Sequence, residues 1–226
     1  MVALLVALSH PALAEDVPAP AVACPDYVSD PALLQGLEPL ATRGALSEAH
    51  KECLEKNYSA AADTTVKNKI SRVELVNAYA YSTKMWADLV KRHLDEVDRS
   101  DPDIAYLYAF YLFNSDKKNA PEVVRWTGVG LERASAAWQG DTFVARVYGL
   151  MKLRTLAANV LWADAEDKKA KGADPGNVDQ LRGDVKVYAR EWLDFAKSAG
   201  RDPTESLQLC LSAANSPSGC GVEGPG

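Results

Sequence analysis

The segment from Pro121 to Lys171 places the tightest constraint on the fold. Its second part, TFVARVYGLMKLRTLAANVLWADAEDKKAK, reads as one long helix. Val144, Val147, Tyr148, Leu150, Met151, Leu156, Val160 and Leu161 spread apolar surface over more than half of its girth. A helix apolar over so wide an arc has to be covered from more than one side. The first part, 121–138, carries Val123, Trp126 or Thr127, Gly130, Leu131, Ala134 and Trp138 at three- and four-residue steps, the mark of an amphipathic helix. Gln139-Gly140-Asp141 divides the two, with Asp141 expected as the N-cap. Other helices should pack around the 142–171 helix, which makes the chain all-α.

The remaining segments agree with that class. A helix is expected over 46–60 with Ser47 as its cap, then a polar stretch over 61–70, read as a helical turn or a connector. Ser71 and Glu74 form a capping-box pattern and open a helix expected to run from about 72 to 98. Asp101-Pro102 restarts the chain into the aromatic run IAYLYAFYLFNS. Leu181, Val185, Tyr188, Trp192 and Phe195 trace a clean stripe for a helix over 177–199, with Gly200 at its C-terminal end. A last short helix is expected from about 204 to 214. Four regions follow: a signal peptide over 1–14, an extended lead-in over 15–45, an all-α domain over 46–214 and a loop tail over 215–226.

Helix pairs with short connections suggest antiparallel pairs stacked as a short solenoid, with a closed helical bundle as the alternative. The element Trp126-Thr127-Gly128-Val129-Gly130-Leu131, followed by a turn and a second helix, resembles a tetratricopeptide repeat. Trp126 and Gly130 match the large and small positions of that family, and Asp101-Pro102, Asp174-Pro175 and Asp202-Pro203 resemble its repeat starts. Arg133 stands where an apolar residue is expected, and the helices at 72–98 and 142–171 exceed the usual length. Over residues 72–199 the resemblance implies a curved scaffold that binds a peptide or partner protein.

The termini speak to compartment. Val2 to Leu8 is apolar and Ala12-Leu13-Ala14 precedes Glu15, the pattern of a secretory signal peptide, although no Lys or Arg leads it. Export to a bacterial periplasm or the extracellular space is expected. The apolar run is too short to span a bilayer. The four cysteines, Cys24, Cys53, Cys210 and Cys220, then favour two disulfides. The simplest pairing staples each end of the chain, Cys24 with Cys53 and Cys210 with Cys220; a rival joins the two ends, for example Cys53 with Cys210.

Neither a nucleotide loop, a GxSxG element, an HExxH pair nor a CxxC is present, so no catalytic residue is assigned. No cofactor is expected, and His50 with Cys53 would be an incomplete metal site. A net charge of −6 argues against a nucleic-acid surface. Function is therefore read as recognition of a peptide or protein, with peripheral association to an envelope complex. Arg146, Arg154 and Asn159 are polar positions on the broadly apolar helix and are the expected readers of a bound segment, with Trp126 and Arg125 beside them. The competing reading for each Arg is an ion pair with a neighbouring helix. An enzyme with a site assembled from distant residues and a self-associating structural protein are the two other classes. His93, near a helix end, is expected to be solvated or to serve the helix terminus.

Overall fold

The computed structural model describes residues 23–81 and 83–222; the expected signal peptide lies outside them. Among the described residues there are nine α-helices and no strand: α1 (Glu38–Thr42), α2 (Glu48–Ala60), α3 (Thr64–Tyr81), α4 (Thr83–Glu96), α5 (Pro102–Ser115), α6 (Ala120–Ala137), α7 (Gly140–Ala170), α8 (Val178–Ser198) and α9 (Thr204–Ala213). Short 3-10 turns occupy Pro31–Gly36, Lys117–Asn119 and Pro217–Cys220. Among the described residues no helix is long and apolar enough to cross a membrane.

Packing runs along the chain order. From α5 to α9 each helix lies against its sequence neighbour, and α5 also reaches α7. The 31 residues of α7, about 46 Å at ~1.5 Å per residue, are thereby covered by α5, α6 and α8. Gly130 lets α6 approach α7 closely: a Cβ there would lie 2.8 Å from Leu150 Cδ1. The main core joins α4 to α7 through Trp86, Val90, Leu94, Val123, Trp126 and Leu153. A second core gathers Tyr27, Leu34, Leu37, Leu54, Tyr58 and Ile70. Residues 27–41, inside the expected lead-in, thus bury apolar side chains and form helical turns.

Several local expectations change. Of the two readings of 61–70 the helical one holds, and it belongs to α3: Val66, Ile70 and Val73 line up on the second core and carry the helix back to Thr64. Asp63 accepts a hydrogen bond from the Thr65 amide at its start. Ser71 and Glu74 therefore sit inside a helix and cap nothing. The single helix expected over 72–98 is two, α3 and α4, which pack on each other. Asp141 lies in the first turn of α7, and Gly140, at φ +56°, makes the corner instead. Ser47 does cap α2, accepting from the His50 amide while His50 Nδ1 accepts from the Ser47 amide.

The cysteines pair Cys24–Cys53 and Cys210–Cys220, with Cα separations of 5.3 and 5.9 Å. The first fastens the N-terminal segment to α2. The second fastens the tail to α9, where Cys220 is fully buried.

Candidate functional site

The residues expected to read a ligand do not share a face. Arg146 pairs with Asp103 of α5 and stacks over Trp138 at 5.0 Å and Tyr106 at 5.5 Å. Trp138 Nε1 donates to the same Asp103 carboxylate at 2.9 Å. Arg154 turns to α8, where it pairs with Glu191 and lies 4.3 Å over the Tyr188 ring. Eight residues along a helix leave an offset of about 80°, enough to send the two guanidiniums to different neighbours. Both follow the competing reading, an ion pair between helices. Arg125 pairs with Glu122 on its own helix and lies 4.7 Å over Trp126. Trp126 is a core residue, 5% exposed and packed on Tyr108. Asn159 alone lines an open cleft, with Lys117, Lys118 and Lys168.

A serine, a histidine and an aspartate do come together. Ser71 Oγ is 3.1 Å from His93 Nδ1, and His93 Nε2 is 3.1 Å from Asp101 Oδ2. Ionised Asp101 can only accept, so Nε2 carries a proton and donates to it, while Nδ1 shares a hydrogen bond with the Ser71 hydroxyl. Arg72 pairs with the same carboxylate. Ser71 and His93 are completely buried and Asp101 is 1% exposed. A nucleophile needs an approach for its substrate, and none reaches this hydroxyl. The trio instead pins α3, α4 and the start of α5 together. His93 is thus buried and not solvated at a helix end. It lies seven residues after Trp86 and three after Val90, on the apolar stripe of α4, and that register was the available signal of burial.

A second buried cluster adjoins it. Arg92 bridges Glu55 of α2 and Glu74 of α3, and its guanidinium lies 4.1 Å over the Tyr58 ring. Burial drives the Glu74 carboxyl up to about 7, overcoming the pull of Arg92, and Glu55 adds repulsion. The folded protein therefore prefers protonated Glu74. Stability from this group is fully present below its ordinary value of 4.5 and is lost as pH rises through about 7. Glu74→Gln mimics the protonated form and leaves Glu55 to neutralise Arg92. At about pH 8 the variant is expected to exceed the parent by up to ~3 kcal/mol, with the gap closing toward pH 5. Urea unfolding of both proteins across that range checks it.

Part of the exposed apolar surface lies on the same helices. Tyr79 is 63% exposed and Phe110 is 52% exposed. They flank a cleft of about 570 Å³ with Trp86, Leu107 and Tyr111 in its lining. Trp86 holds Tyr79 and Tyr111 in edge-on contact at 5.6 and 5.4 Å, so the surface is preformed. A separate cleft of about 450 Å³ between α2, α3 and α4 carries Glu48, Glu52, Glu55 and Glu74, with Lys51 paired to Glu48, around Ala78, Met85 and Leu89. The exposure of Tyr79 and Phe110 depends on where α3, α4 and α5 end their mutual packing.

Among the described residues no group of three or more His, Cys, Asp and Glu could hold a metal ion. Compared with protein-family models, with characterised proteins and with solved structures, the chain gives no match.

Proposed function

We propose that this chain is a non-enzymatic helical scaffold that binds a segment of a partner protein across α3, α4 and α5. The exposure of Tyr79 and Phe110 beside a preformed aromatic cleft carries the reading. Large apolar side chains left open around a cleft behave as anchors for a partner. In the separate cleft Glu48, Glu52 and Glu55 outnumber Lys51, which adds a preference for a segment that combines apolar side chains with Lys or Arg. Serial packing from α5 to α9 supports a stack of antiparallel helix pairs of the tetratricopeptide kind. Recognition then sits on α3–α5 and not along α7. Two disulfides support export to an oxidising space such as a periplasm, and with it an envelope or extracellular partner. The sealed Ser71–His93–Asp101 trio gives the enzyme reading no support.

Short random peptides selected against the whole chain should be rich in aromatic or leucine residues next to Lys and Arg. The Tyr79→Ala, Phe110→Ala double variant is expected to weaken their binding roughly tenfold or more, with an unchanged far-ultraviolet circular dichroism spectrum. Selected peptides that bind both proteins equally would move recognition off this surface. The self-association reading uses the same patch; a dimer in ultracentrifugation that Phe110→Asp abolishes would favour it.

A further inference from the structure

We infer that a second cleft, between the turn Lys117–Asn119 and the C-terminal half of α7, binds a small amphiphilic carboxylate. It shares no lining residue with the aromatic cleft and encloses about 680 Å³, within the size range of small-molecule sites. Its floor is apolar. Pro121, Val160 and Leu161 line it, and the last two continue inward to the core between α4 and α7.

Its rim is cationic in a chain of net charge −6. Lys117 and Lys118 are both exposed, and neither has a carboxylate within ion-pair distance among the described residues. Lys168 contributes a third ammonium, engaged by Asp164 at 2.7 Å. Asp164 also lines the cleft, and Asp116 accepts from the Lys118 amide just outside it. The local balance remains positive.

Asn159 supplies the directional group. It is half-buried in the wall and makes no intramolecular hydrogen bond among the described residues. Its amide reaches the solvent of the cleft and stays available to a ligand. Its NH2 can donate to a carboxylate that Lys117 and Lys118 attract. The apolar floor requires a body as well as a head. A doubly charged phosphate suits the site poorly, since it would meet Asp164 and leave the floor uncovered.

Octanoate, octanol and inorganic phosphate titrated into the full chain test the inference, by calorimetry and by amide chemical shifts. Octanoate is expected to saturate, with shifts centred on Asn159, Val160 and Lys118. Raising the salt should weaken it. The Lys117→Ala, Lys118→Ala double variant should lose about tenfold or more in affinity, and Asn159→Ala roughly threefold to tenfold. These lysines are exposed, so the variants keep the fold, which circular dichroism verifies. Octanol binding as tightly as octanoate would overturn the inference, because the cationic rim would then contribute nothing. Phosphate binding as tightly would overturn it by removing the floor, and so would octanoate binding that survives both lysine substitutions.

Discussion

Asp101→Ala is expected to destabilise the protein by about 3–5 kcal/mol, the range for removing one partner of a buried ionic cluster. Two oxygens of this one side chain hold three helices. Oδ1 accepts from the amides of Asp103 and Ile104 at 3.0 and 3.2 Å and caps α5. Oδ2 accepts from His93 of α4 and Arg72 of α3. Loss of the cap alone costs roughly 0.5–2 kcal/mol. The remainder comes from His93, which keeps a buried N–H with no acceptor. Arg72 contributes less, being almost half exposed. Burial opposes ionisation of Asp101, yet the His93 hydrogen bond, Arg72 and the capped amides together hold its carboxyl below the ordinary range. Stability from this group is therefore present above the ordinary carboxylate range and disappears as pH falls through the lowered value. Denaturant unfolding of Asp101→Ala and Asp101→Asn measures the effect. The asparagine variant retains an acceptor for the cap and should lose less. Equal losses would mean that the charge, and not the cap, dominates.

Trp192→Ala is expected to cost a similar ~3–5 kcal/mol, for a different reason. The side chain is fully buried on α8. Tyr148 of α7 meets it edge-on at 5.6 Å, and Lys152 lies 5.8 Å from the ring. Its indole nitrogen has no hydrogen-bond partner among the described residues. The loss is then one of packing and cavity formation, with no polar bond broken. Trp192→Phe keeps an aromatic ring and removes the unpartnered N–H, so it should lose about 1–2 kcal/mol. Thermal and urea unfolding give the two values. Hydrogen exchange should show the alanine variant losing protection first in α8 and α9, which pack together.

The helix class was legible from periodicity, since side-chain spacing along a helix is independent of what the helix meets. The stripe of α8 is the clearest case: Val185, Trp192 and Ala196, read from spacing, are fully buried. The girth of α7 likewise announced several covering helices. The start of α3 was not legible, because Thr64–Ile70 is polar overall, and Val66 and Ile70 find most of their apolar partners in the distant segment 24–58.

Polar positions mark where the sequence stops informing. On the pattern alone Arg146 and Arg154 were equivalent, yet one belongs to Asp103 and the other to Glu191. Ser71, His93 and Asp101 meet across up to 30 residues of chain, on three elements whose approach no local spacing encodes. The cysteine pairing was one of three until residues 24 and 53 were brought together. Periodicity tells which face of a helix leaves water, since burial of apolar area sets that choice. It is silent on partners, because short-range polar contacts depend on the crossing of two helices, and a shift of one ångström there exchanges one partner for another.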